Sequence, residues 1–174
     1  MIGIFRQKTP ANIIVLLVFG LLIKMPMFVH PHVPAIQPKD GVLFHYILRS
    51  LESAGKSSPV IYPLLAYALL FIQAIALTRL INDHRLMNRS NYLPAMSYIL
   101  ITSFFPEWNY FSAPLLLNTF LVIILGWLFR IYNHQRAKGI VFNTGLVIGI
   151  ATFIFFPSVM FVIWVLFALM VMRP

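Results

Sequence analysis

Six apolar blocks separated by short polar stretches run along this chain. The first, Ala11 to Val29, follows Thr9-Pro10, a pairing that suits a helix N-cap and first helical position. As a helix it would reach roughly 28 Å, against a bilayer hydrocarbon core of about 30 Å. Further blocks cover 59–78, 91–105, 113–131, 139–156 and 158–172. Ser90 is the expected cap of the third, which is short for a full crossing. The last two could be one helix kinked at Pro157. About 33 residues of helix would span roughly 50 Å, however, so a hairpin through Phe156-Pro157-Ser158 is expected instead. The pattern predicts an all-α, polytopic transmembrane helix bundle of about six spans in a single membrane domain.

The polar stretch 30–58 has its own pattern. Pro31, Pro34 and Pro38 make its start irregular, and then Leu43, Phe44, Ile47, Leu48 and Leu51 recur at helical spacing with His45, Arg49, Glu52 and Ser53 on the opposite face. One oily stripe between two apolar blocks predicts an amphipathic helix lying flat in the membrane interface, ended by Ala54-Gly55.

Composition strengthens this picture. Sixty per cent of the 174 residues are apolar and only 10% are charged, with 16 Phe and 8 Met. A soluble domain of this size would expose apolar patches well beyond those monomers carry, so the surplus has to meet lipid. The net charge of +9 does not signal nucleic acid, because the 13 basic residues sit between apolar blocks rather than in one patch. They report orientation instead. Arg6, Lys8, Arg79, Arg85, Arg89, Arg130, Arg136, Lys138 and Arg173 fall on one side of the expected spans, and only Lys39, Arg49 and Lys56 on the other. That imbalance predicts cytoplasmic N- and C-termini. The first block lacks a small-x-small cleavage site and is expected to be a retained signal anchor. With no cysteine there is no disulfide, thiolate nucleophile or Cys metal site. Arg173-Pro174 follows the last span without a tail, which suggests the N-terminal part of a longer protein.

Few residues are candidates for chemistry. Of the four carboxylates, Asp40, Glu52 and Glu107 fall on the outer side and Asp83 on the inner side. Asp83 is expected to pair locally with Arg79 or Arg85, and Glu52 to be simply solvated. Asp40 is either the N-cap of the amphipathic helix, with Gly41 and Val42 opening it, or a functional carboxylate. Glu107 sits in Phe105-Pro106-Glu107-Trp108-Asn109, a turn at headgroup depth where a carboxylate is costly unless paired. Asp40 and Glu107 can face one outer cavity. Lys24 lies inside the first span, where it either snorkels to the interface or meets an anionic group such as a lipid phosphate, with Pro26 kinking the helix beside it. His30, His32 and His45 lack ligand spacing, so no metal site is assigned. Gly145-x-x-x-Gly149 matches a helix-packing motif, and Gln73, Asn118 and Asn143 can bond across helices.

The order of first span, acidic residue (Asp40), interfacial helix (Leu43 to Leu51), Pro59 to Leu65 and short hairpins resembles the N-terminal part of the GT-C membrane glycosyltransferases. The resemblance covers most of the chain but lacks that class's paired acidic motif and has fewer spans. It implies a polyprenyl-phosphate sugar donor used at the outer face, Asp40 as general base or ligand of a divalent metal, Glu107 as a second acidic wall, and Lys24 on the carrier phosphate. The chain is also similar to an uncharacterised family of bacterial polytopic inner-membrane proteins that begins with a Phe-x-x-Lys-x-Pro-x-Asn stretch, here Phe5 to Asn12. The competing expectation is a non-catalytic structural or assembly subunit of an envelope complex, with other membrane subunits as partners. A transporter would need more ionisable groups within its spans.

Overall fold

The structure, a computed structural model, describes residues 5, 10–131 and 137–172. Eight helices make up the described chain: α1 (Pro10–Ile23), α2 (Met25–Val29), α3 (Val42–Ser57), α4 (Ile61–Asp83), α5 (Leu93–Phe104), α6 (Ala113–Ile131), α7 (Ala137–Ile154) and α8 (Phe161–Met172). Short 3-10 turns at Pro106–Asn109 and Phe156–Met160 precede α6 and α8. The fold is all-α, with a single isolated bridge, Asp40 to Phe155, among the described residues. Prolines punctuate it where they cost least. Pro10, Pro26, Pro63, Pro94 and Pro114 all lie in first helical turns, where their missing N–H has no partner to lose.

Two of the six expected spans, α4 and α6, are long and apolar enough to cross a membrane unaided. The other apolar helices are shorter. α4 is the central element, packing on both α5 and α6 and touching α1, α2 and α3. Leu16, Ala74, Ala95 and Ile99 join α1, α4 and α5 in one buried cluster, while Ile124, Leu128, Ile148 and Val165 join α6, α7 and α8 in another. Val165, Ala168 and Leu169 pack in the same cluster as Ile140 and Val141 at the start of α7, so α8 folds back after Pro157 as a hairpin.

Several boundaries differ from the sequence reading. The first apolar block breaks at Lys24, where φ −88° and ψ 7° interrupt the helix, and Pro26 opens the short α2 after it. α3 does not stop at Gly55 but continues to Ser57. Gly55 serves packing instead, because a Cβ there would run into the Tyr62 ring. Glu52 is not merely solvated: it pairs with Lys56 at 2.7 Å, one turn along α3. The N-cap of α5 is Tyr92 rather than Ser90, and Asn91 just before it accepts from Leu93 N through its Oδ1 at 3.1 Å. Asn143 is exposed rather than bonded across helices, and a Cβ at Gly145 or Gly149 would meet nothing within 4 Å, so neither serves packing among the described residues.

α4 also runs past its expected end at 78 as far as Asp83. Arg85 then reverses the chain at φ 51°, with Leu86 N donating to Ile81 O at 3.0 Å and Arg85 N to Asn82 O at 3.2 Å. These are the bonds of a Schellman stop, whose left-handed position normally holds glycine. Arg85→Gly is therefore expected to raise stability by about 0.5–1 kcal/mol, read as a higher unfolding midpoint. A lower midpoint would refute the strain at this turn. Asp83 is exposed and forms no ion pair with Arg79 or Arg85, contrary to expectation.

Hydrogen bonds sort the turns into two ends. Gly41 N donates to Ile154 O and Phe156 N to Lys39 O, which ties the 30–41 segment to the turn before α8. Lys24 joins the same end to the 102–109 segment. At the opposite end Tyr92 N donates to Phe5 O at 2.8 Å. Of the basic residues used for orientation, Arg6, Lys8, Arg136 and Arg173 lie outside the described residues, as does the expected cap Thr9.

Candidate functional site

Asp40 and Glu107 line one cavity of about 620 Å³ at the end that carries the 30–41 segment. His32, Phe44, Trp108 and Tyr110 form much of its remaining wall. Each wall is fixed by a different local device.

The Asp40 side is set by two turns of hydrogen bonding. Asp40 N donates to Gln37 O at 3.0 Å and Gln37 N donates to Asp40 Oδ2 at 2.8 Å, closing a tight four-residue turn. The carboxylate thus points back into its own loop and does not cap α3, correcting the N-cap expectation. Its Oδ1 has no partner among the described residues, which leaves one acceptor for a ligand. Gly41 follows directly and donates to Ile154 O at 2.8 Å. A Cβ at Gly41 would collide with the Phe153 carbonyl, so only glycine lets this loop lie against the end of α7.

The Glu107 side is set by Lys24. Lys24 is 2% exposed, and its Nζ donates to Thr102 O at 2.8 Å and to Asn109 Oδ1 at 2.7 Å. Thr102 lies in the last turn of α5, where carbonyls lack intrahelical partners and a cation complements the helix dipole. Lys24 is therefore an interior C-cap that also pins the turn carrying Glu107. It neither snorkels outward nor lines the cavity, so in this geometry its two bonds go to neutral protein groups rather than to a lipid phosphate. Glu107 itself is exposed.

Aromatic contacts complete the wall. Trp108 meets Tyr98 edge-on with centroids 6.3 Å apart, Tyr110 meets His32 at a tilt with centroids 5.5 Å apart, and Phe44 packs on Phe111 at 5.8 Å. Beneath them lies a buried polar network. Tyr98 Oη donates to Gln73 Oε1 at 2.6 Å, Asn118 Nδ2 donates to both, and Gln73 Nε2 donates to Leu115 O and Thr119 Oγ1 at 2.8 Å each. Gln73 and Asn118 were expected to bond across helices; Tyr98 and Thr119 join them. The network ties α4, α5 and α6 together directly under Leu115 of the cavity wall.

Carboxylates and aromatic faces in one cavity suit a polyhydroxylated ligand, since carboxylates accept from hydroxyls and rings cover C–H faces. Among the described residues no three of His, Asp and Glu come close enough to hold a metal ion. Asp40, Glu107 and His32 thus do not form a three-ligand site for a resident cation. His30 and His45 do not line the cavity. His32 and Tyr110 were missed as wall residues because their approach depends on contacts between distant segments. Compared with known protein families, curated proteins and solved structures, the chain matches none.

Proposed function

We propose that the chain is a six-crossing protein of a bacterial inner membrane, with a cytoplasmic N-terminus, and that it acts at the outer face as a GT-C-like glycosyltransferase using a polyprenyl-phosphate sugar donor. The observation that carries the site is the pairing of Asp40 and Glu107, 67 positions apart (107 − 40), on one cavity beside Trp108 and Tyr110.

Membrane insertion is supported by the exposed apolar faces. Met170 and Val171 on α8, Phe142 and Phe153 on α7, and Ile14 and Leu22 on α1 are each more than 60% exposed. Lipid is the natural cover for such faces. The two-ended sorting of turns agrees with successive crossings. Arg79, Arg85, Arg89 and Arg130 lie at the end opposite the cavity, as the positive-inside rule requires for an outward-facing site. α5 is only about 18 Å long, so its ends would lie within the hydrocarbon. There each unpaired backbone group costs several kcal/mol, a demand that the Asn91 bond to Leu93 N and the Lys24 bond to Thr102 O meet in part.

In the transfer step, Asp40 would take the proton of the acceptor hydroxyl as that oxygen attacks the anomeric carbon, whose bond to the carrier phosphate breaks. Glu107 would hold sugar hydroxyls. With Lys24 committed to Thr102 and Asn109, His32 is the wall residue able to donate a ring N–H to the phosphate.

Asp40→Asn should lower transfer from a polyprenyl-phosphate sugar by about 10²–10⁴-fold while membrane insertion is unchanged. Full activity in that variant would remove Asp40 from catalysis. The second reading is a non-catalytic subunit of an envelope complex. The observation favouring it is that Asp40 Oδ2 already serves a structural turn with Gln37. Stable co-purification with another membrane protein, without any transfer activity, would select that reading.

A further inference from the structure

A second groove, of about 650 Å³, lies at the opposite end of the bundle between α4 and α6. We propose that it holds one anionic phospholipid of the inner leaflet, its phosphate between Arg79 and Arg130 and an acyl chain along the helices. The proposal rests on the six-crossing reading above.

Three features identify this occupant. The first is shape. Ile72, Ile75 and Arg79 follow one another along one stripe of α4, and Ile123, Gly126 and Arg130 along the facing stripe of α6. Gly126 keeps the floor low, since even a Cβ there would meet only Leu80, at 3.7 Å.

The second is length. From Ile72 to Arg79, where the phosphate would sit, α4 rises about 10 Å, some two-thirds of the roughly 15 Å hydrocarbon depth of one leaflet. An apolar trough of that length suits an acyl chain, which a free phosphate ion lacks.

The third is charge. Arg79 and Arg130 are exposed, the first about one turn before the end of α4 and the second in the last turn of α6, and their side chains form no ion pair or hydrogen bond among the described residues. Guanidinium groups grip phosphate oxygens in pairs, and basic pockets between helices on the cytoplasmic side suit anionic headgroups. His84 donates Nδ1–H to Leu80 O at 2.9 Å, which leaves Nε2 free at the groove's mouth. Asp83 also borders the groove and opposes an anion, so it sets a limit on affinity. The sequence assigned these arginines to topology alone; their convergence on one groove is what a second role requires.

The test uses the full chain reconstituted in vesicles of phosphatidylcholine and phosphatidylglycerol, followed by native mass spectrometry of the lipid that stays bound. The wild type should retain phosphatidylglycerol about tenfold above its share of the bilayer. Arg79→Gln with Arg130→Gln should return that ratio to the bilayer composition, and Asp83→Asn should raise it. A wild-type ratio equal to the bilayer's, or a ratio that neither change moves, would overturn the lipid site. So would equal thermal protection of the detergent-solubilised protein by inorganic phosphate alone. Alkaline carbonate extraction separates the two levels of inference. Protein that stays in the membrane without lipid preference loses only this site, whereas protein released by carbonate loses the six-crossing reading and this site with it.

Discussion

Gly41→Ala should cost about 2–6 kcal/mol of stability and release the loop that carries Asp40 from the end of α7. The added methyl would press on the Phe153 carbonyl, and the Ile154 carbonyl carbon would lie 2.9 Å from it. Both obstacles are backbone, so no rotamer change can make room. Overpacking of this kind costs about 1–3 kcal/mol. Losing the Gly41 N to Ile154 O bond adds about 1–3 kcal/mol where the freed groups stay buried. The measurement is the unfolding midpoint in mild detergent, with proteolysis of residues 30–41 as the local readout. Val42→Ala, at a position 77% exposed, is the control and should change little. Wild-type stability in Gly41→Ala would show that the bridge to Phe155 does not hold this loop.

Lys24→Met should cost about 2–4 kcal/mol and loosen the 102–110 segment selectively. Methionine nearly keeps the volume but removes the ammonium, which leaves Thr102 O and Asn109 Oδ1 without the donor they now share. The loss has two separable signatures. Hydrogen exchange should quicken in the last turn of α5 and in the Pro106–Asn109 turn, while α7 and α8 stay protected. Binding of any cavity ligand should weaken with it, because Glu107 is carried on that turn. Lys24→Arg should retain part of the protection by keeping a donor. A lysine free at the interface would behave otherwise, and its replacement would leave exchange at 102–110 unchanged.

These two positions also mark where sequence reasoning stops. The apolar blocks, with the amphipathic stripe of Leu43 to Leu51, located the longer helices among the described residues, because hydropathy and proline placement act locally. Boundaries moved where a second physical effect overrode composition. α4 carries Arg79 and Asp83 within it because its reversal is made at Arg85, and Gly55 stays helical because Tyr62 needs the space. The shared cavity was legible only as a possibility. Asp40 and Glu107 could be assigned to the same side, but what brings them together is the Lys24 bond to Asn109, 85 positions away, and the Gly41 bond to Ile154. Nothing in local spacing encodes either contact. The inward turn of Lys24 had one sequence clue, a lysine deep in an apolar block, where a cation needs a partner.

The Gly41 to Ile154 bond has a consequence for biosynthesis. It joins residues 113 positions apart (154 − 41). At about 5–20 residues per second, the ribosome needs on the order of ten seconds after releasing Gly41 to deliver its partner. For that interval Asp40 and its turn lack the surface that seats them, although α1 and α3 are already made. The cavity is thus a late product of assembly, closed only when α7 arrives. Long-range closure of this kind is slow relative to local helix formation. A pause or truncation before 154 would therefore yield helices without a site.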